Sequence, residues 1–349
     1  MTDSIAEQRR QFLARLFPEG VPTLWCPLLT QYTPNGAVDT ARMAAHLAHL
    51  SRWVKGYLIP GTTGDGWELT PEETRTVTTF AVESAREREL HLLIGILQRE
   101  APAARRKIEA TAAWLQQITG ADSPLEAMRR ARVSGFAVCP PAGEEQPQDA
   151  IRDALAGLLS LELPLALYQL PQITRNEMSP EVVAALAARF PNLILVKDSS
   201  GADRVALAGG DLPHVFLVRG AEGGFAGWLR AGGGPYDGFL LSTANCLAPE
   251  LAEVLRLAQA AKREEAEAIS ARLSSLIEAM FAVVAEVRGG NAFTNANKAM
   301  DHFFAYGSEA VEVAPPRLHS GGTLPVEVIR RTAEELWRHD GMPAQGYLG

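Results

Sequence analysis

Leu163-Pro164-Leu165-Ala166-Leu167-Tyr168 is a short apolar run, and it is followed by a helix start at Ser179-Pro180-Glu181 with Pro in the first turn. A second apolar run, Leu193-Ile194-Leu195-Val196-Lys197, comes next. Strand, helix, strand is the repeating unit of a parallel sheet. The same alternation extends in both directions. The other strand candidates are Pro22 to Leu29, Gly56 to Pro60, His91 to Ile96, Gly135 to Cys139, Val215 to Val218 and Gly238 to Leu241. Helix starts stand between them, for example at Asp39 and at Thr70-Pro71-Glu72-Glu73. Eight strands, each followed by a helix, predict an α/β protein built as a closed (β/α)8 TIM barrel with additional C-terminal helices.

An open doubly wound sheet is the competing arrangement, but the dinucleotide fingerprint is missing. Gly61-Thr62-Thr63-Gly64-Asp65-Gly66 has the wrong glycine spacing, and no Gly-Lys-Ser/Thr loop follows a strand. The barrel with a short N-terminal extension is expected over residues 1–248, with an inserted helix near 98–120. Residues 249–349 are read as the last barrel helix and a helical extension, and the final ten residues as disordered.

The chain has 349 residues, 47% of them hydrophobic, and a formal net charge of −8. No basic stripe suited to nucleic acid appears, and no apolar run approaches the roughly 20 residues that span a bilayer. Three cysteines without CxxC spacing offer neither a disulfide framework nor a zinc knuckle. His46 and His49 lack the carboxylate of an HExxH site and are read as helix-surface or packing residues. No metal, no nucleic acid and no membrane span are expected, and a reducing, cytoplasmic setting fits the thiols.

Chemistry in such a barrel collects at the C-terminal strand ends. Lysine is scarce, with five against 28 arginines, and of the five only Lys197 ends an apolar strand. A poorly solvated barrel mouth disfavours an ammonium, and a neutral amine attacks ketones. The other reading pairs Lys197 with Asp198 to close the barrel. Tyr168 ends the neighbouring strand, and strands about 5 Å apart bring its phenol within reach of the amine as an acid/base group. Gly61, Thr62 and Thr63 form a turn whose hydroxyls and N–H groups suit a carboxylate.

Together, Gly61-Thr62-Thr63-Gly64-Asp65, Tyr168-Gln169-Leu170-Pro171, Val196-Lys197-Asp198-Ser199-Ser200-Gly201 and Gly220 with Ser242-Thr243-Ala244-Asn245 resemble the pyruvate-dependent class I aldolase and lyase superfamily. That superfamily includes dihydrodipicolinate synthase, N-acetylneuraminate lyase and 2-keto-3-deoxygluconate aldolase. The likeness runs from about Pro22 to Ser308. It implies a Schiff base on Lys197, acid/base work by Tyr168, and a carboxylate held by Thr62 and Thr63, so that Lys197, Tyr168 and Thr63 form the catalytic set. Gly61, Asp65, Gly220, Glu222 and Ser242 would complete the substrate site. It also implies no metal or organic cofactor, a 2-oxo acid as ligand, and a homo-oligomer, tetramer or dimer.

Two departures separate the chain from a typical dihydrodipicolinate synthase. Ile173 stands where those synthases resemble one another in an Arg for a second carboxylate, and Cys139-Pro140-Pro141-Ala142 replaces the stretch with a proton-relay Tyr. Trp67 reads either as packing under the turn or as a substrate contact, and Glu222 either as a partner for sugar hydroxyls or as a solvated loop acid. The expected reaction is reversible aldol cleavage of a 2-oxo acid, such as a 2-keto-3-deoxy sugar acid, to pyruvate and an aldehyde. Dehydration on the same Schiff base, a synthase-like condensation and non-catalytic keto-acid binding are the alternatives.

Overall fold

The computed structural model describes residues 4–210 and 212–348. Eight strands close into a barrel in sequence order. They are β1 Leu24–Cys26, β2 Gly56–Ile59, β3 His91–Ile96, β4 Val133–Val138, β5 Leu165–Gln169, β6 Leu193–Asp198, β7 Phe216–Arg219 and β8 Gly238–Leu240. Apart from Phe216, every strand residue is buried, as a sheet covered by helices requires. The (β/α)8 barrel with C-terminal helices is the fold of this chain.

One compact unit comprises the described residues up to Thr23, Ala85–Ala221 and Gly234–Leu240. It holds β3 to β8 and the helices Ala101–Thr119, Pro124–Arg130, Gln148–Leu159 and Pro180–Arg189. The long third connection thus contains two helices, separated by Gly120 in the left-handed conformation and Ser123, whose side chain accepts from the Glu126 N–H. Sequence patterning missed the helix Ile5–Leu16. Its Arg9 is fully buried and donates to the carbonyls of Leu193 (2.8 Å), Pro213 (2.6 Å) and Phe190 (2.9 Å), which joins the helix to the start of β6. Burial lowers that guanidinium to about 10.

The second unit comprises Leu24–Ser84, Glu222–Gly233 and the described residues from Leu241 onward. It holds β1, β2 and the helices Thr40–Leu50, Ala248–Gln259, Arg263–Val284, Ala292–Tyr306 and Val326–Arg338. The expected full-length helices after β6 and β7 are absent: Arg204–Leu207 and Phe225–Trp228 are single turns. Gly227 inside the second and Gly232-Gly233-Gly234 just beyond it explain its shortness, because glycine costs about 1 kcal/mol per helical position. The tail is not disordered over its described residues. The Tyr347 N–H donates to Phe304 O (2.9 Å) and its hydroxyl to the buried Asp301 Oδ1 (2.8 Å), whereas Gly349 lies outside the described residues. Among the described residues no helix is long and apolar enough to cross a membrane.

Candidate active site

Strands β5 and β6 pair in parallel with Tyr168 opposite Lys197. Equal register puts both side chains on the same face of the sheet, and Lys197 Nζ lies 3.9 Å from the Tyr168 ring centroid. Both are buried. Among the described residues no carboxylate pairs with this amine. Asp198, the partner required by a purely structural role, points to the other face of the strand, where its Oδ1 accepts from Ser200 N (2.9 Å) and Ser200 Oγ (2.6 Å). Burial raises the Asp198 carboxyl above its usual range.

Gly220 follows β7 and presses against this pair. A Cβ there would stand 2.8 Å from Lys197 Cε and 2.1 Å from Ser199 Oγ, closer than any real contact, so only glycine fits. Cys139, at the end of β4, also faces the amine. Burial pushes its thiol up to about 12, against the opposing pull of Lys197, so it stays protonated at neutral pH and is not a thiolate nucleophile. In the segment after β5, Ile173 lies in the turn Pro171–Thr174, and the nearby Arg175 is engaged by Glu144.

The Gly61-to-Asp65 turn belongs to the second unit and follows β2. Gly66 N–H donates to Gly61 O (2.9 Å) and Asp65 N–H to Thr62 O (3.2 Å), which coils the turn tightly. A Cβ at Gly64 would meet Leu28 O at 2.4 Å. Thr63 is buried, yet its N–H and hydroxyl have no protein partner among the described residues. Two donors left in that condition are open to an anionic ligand. The Trp67 indole donates to Thr62 Oγ1 (3.1 Å), so this ring packs on the turn.

The helix Ala292–Tyr306 holds the turn from behind, a role that sequence reading missed. Thr294 Oγ1 donates to Thr63 O (3.0 Å), the cap residue Asn291 donates through Nδ2 to Thr62 O (3.3 Å), and Lys298 Nζ reaches Asp65 Oδ2 (3.3 Å). Offsets of three and seven from 291 trace one face of a helix, which was the available signal. Asp65 also accepts from the Tyr32 hydroxyl (3.0 Å), so its Oδ2 is used to anchor the loop. Lys298 and Asp65 are both buried, and desolvation lowers the lysine below its usual range despite the opposing attraction of Asp65.

Glu222 and Ser242 are joined. Glu222 accepts from Ser242 Oγ (2.7 Å), Thr243 Oγ1 (2.7 Å) and Thr243 N (3.2 Å), so its carboxylate already fastens the loop after β8. The sequence-predicted residues thus fall into three groups: Lys197 with Tyr168 and Gly220, the Gly61-to-Asp65 turn, and Glu222 with Ser242. Among the described residues no cluster of three His, Cys, Asp or Glu side chains suits a metal ion.

Comparison with known proteins bears on the fold and the family. Residues 153–293 match the model of the dihydrodipicolinate synthetase family. The 4-hydroxy-tetrahydrodipicolinate synthase of Hyphomonas neptunium is 32% identical over 282 residues, which are 76% of this chain and 84% of that protein. The enzyme of the same name from Agrobacterium fabrum is 28% identical over 288 residues, covering 79% and 90%. Among solved structures, a prophage protein of the dihydrodipicolinic acid synthase family from E. coli K12, in complex with pyruvate, superposes with a TM-score of 0.70 at 19% identity, covering 92% of this chain and 99% of that one. A Sulfolobus solfataricus 2-keto-3-deoxygluconate aldolase variant in complex with L-2-keto, 3-deoxy-galactonate gives 0.70 at 18%, covering 91% and 96%. On the strength of the sequence match to its relatives, the chain belongs to the dihydrodipicolinate synthase family.

Proposed function

We propose that the protein is a Schiff-base lyase that cleaves a 2-oxo acid, such as a 2-keto-3-deoxy sugar acid, to pyruvate and an aldehyde. The observation that carries this reading is the buried Lys197 amine over the Tyr168 ring without a carboxylate partner. Lys197 Nζ adds to the C2 carbonyl, and loss of water leaves a protonated imine. The C4-hydroxyl proton passes to the Tyr168 oxygen as the phenol gives its own proton to the substrate carboxylate, the C3–C4 bond breaks, and its electron pair moves into the enamine while the aldehyde departs. Proton return to C3 and hydrolysis of the imine release pyruvate. Thr62 and Thr63 are assigned the substrate carboxylate, which the unpartnered Thr63 N–H and hydroxyl support.

The relatives named as synthases support a second direction, in which the same enamine condenses with an aldehyde. Ile173, in place of a cation for a second carboxylate, weighs against their particular substrate. A cytoplasmic homo-oligomer is part of the same proposal. Borohydride treatment with pyruvate, followed by peptide mass mapping, tests the mechanism. The expected result is a reduced adduct on Lys197 that is lost in Lys197→Arg, together with pyruvate release from keto-deoxy acids. No adduct on Lys197 refutes it, and release of an unsaturated or dioxo acid redirects it to dehydration.

A further inference from the structure

At the opposite end of the strands from Lys197 and Tyr168 lies a cavity of about 430 Å³, bordered by the beginnings of β3 and β4. Five arginines line it: Arg15, Arg86, Arg129, Arg130 and Arg132. Four come from three separate helix ends and Arg132 from the connection before β4, so no single helical face accounts for the cluster. In a chain of net charge −8, this concentration of positive charge runs against the overall field.

Two carboxylates answer the five guanidiniums. Glu126 accepts from Arg129 Nε and Nη2 (2.8 Å each) and Arg130 Nε (2.8 Å), and Glu89, itself exposed, pairs with Arg132 at 3.1 Å. Arg15 and Arg86 have neither an ion pair nor a hydrogen-bond partner among the described residues. The cavity therefore keeps an uncompensated surplus of positive charge. Its floor is polar as well: His91 is buried with Nδ1 3.0 Å from Ser134 Oγ, and its ring packs on Phe17 at 4.8 Å between centroids. Burial, reinforced by Arg132, lowers this imidazole to about 4, so at neutral pH it supplies a hydrogen bond and no charge.

We infer that this cavity is a binding site for a small phosphorylated molecule carrying at least two phosphate groups. Planar guanidiniums match phosphate oxygens two at a time, and two phosphates are needed to neutralise the surplus. The volume lies in the range of small-ligand sites, of roughly 300–1,000 Å³, and is far too confined for a nucleic-acid duplex. Leu16, Pro18 and Val133 add an apolar wall for the organic part of such a ligand. Occupancy would tie the helix Ile5–Leu16 to the ends of Pro71–Arg88 and Pro124–Arg130 at a distance from the proposed chemistry.

Isothermal titration of the whole chain with tripolyphosphate, at constant near-physiological ionic strength, tests the site, with citrate and inorganic phosphate as comparison arms. The expected result is sub-millimolar binding of tripolyphosphate, weaker binding of citrate and inorganic phosphate, and a raised Tm on saturation. In the Arg15→Gln/Arg86→Gln variant, whose changes are at exposed positions, tripolyphosphate should bind at least about tenfold more weakly while circular dichroism and the Tm of the unliganded chain stay unchanged. Unaltered affinity in that variant, or no saturable binding at millimolar tripolyphosphate, overturns the site. Tighter binding of citrate overturns its assignment to phosphates. None of these outcomes depends on the reading of Lys197.

Discussion

Lys197 Nζ sits 3.9 Å from the centre of the Tyr168 ring, and the two residues are register partners on adjacent strands. The proposed mechanism gives the ring and the hydroxyl of Tyr168 separable tasks: the ring face packs the amine, and the hydroxyl is assigned the proton transfer. In Tyr168→Phe the ring remains. Pyruvate should still form a borohydride-trapped adduct on Lys197, while turnover falls by roughly 10²- to 10⁴-fold. Equal loss of adduct and turnover would show that the hydroxyl is needed to form the imine itself.

Gly220→Ala places a methyl group 2.8 Å from Lys197 Cε and 2.1 Å from Ser199 Oγ. One side must move, and the lysine is the more flexible. Overpacking of this kind costs about 1–3 kcal/mol, read as a lower urea midpoint, and adduct formation should slow more than the stability loss explains. A variant that keeps the wild-type adduct rate would show that the amine has room to spare.

Thr294→Val removes the hydroxyl that donates to Thr63 O at 3.0 Å. A buried carbonyl left unsatisfied costs about 1–3 kcal/mol. Because the turn is assigned the substrate carboxylate, KM for the keto acid should rise severalfold with kcat nearly unchanged. A fall in kcat alone would detach Thr294 from substrate binding.

Lys298→Met strands Asp65 as an uncompensated buried charge, a loss of about 3–5 kcal/mol. Adding Asp65→Asn removes that charge and should recover a large part of the loss. Chemical denaturation of the two single variants and the double variant measures the coupling directly, and additive losses would show that the pair does not interact.

His91 is held to about 4 in the folded chain, from an ordinary value of 6.5. Between these values the unfolded chain binds more protons than the native one, so stability rises with pH across the window. The contribution is complete above about pH 6.5 and is lost as pH falls toward 4, amounting to on the order of 3 kcal/mol. Urea titrations at the two ends should show a slope that flattens in His91→Gln. An unchanged slope would assign the acid sensitivity to other groups.

Much of the molecule was legible in the sequence because its strands are short apolar runs between well-capped helices. The lysine of Leu193-Ile194-Leu195-Val196-Lys197 and the tyrosine of the preceding run were visible as strand ends, and parallel pairing made them neighbours. Periodicity gave no indication of what a helix faces. Thr294 contacts the turn across 231 residues of sequence, a relation set by packing of the tertiary structure. Ile5–Leu16 escaped notice because its buried residue is an arginine, satisfied by carbonyls that no local pattern reveals. The sequence leaves Glu222 between sugar hydroxyls and solvent, because its hydrogen bonds to Ser242 and Thr243 span about twenty residues and follow no local pattern.

The support of the Thr62-Thr63 turn by Asn291 and Thr294 bears on how the protein is made. During translation both the amine and the phenol have been synthesised by residue 197, almost a hundred residues before the side chains that brace the turn. A nascent chain arrested before Asn291 would carry the proposed nucleophile without the side chains that brace the turn assigned to its ligand. Ribosome-stalled intermediates of increasing length should therefore acquire keto-acid affinity late and abruptly, once the helix Ala292–Tyr306 has emerged.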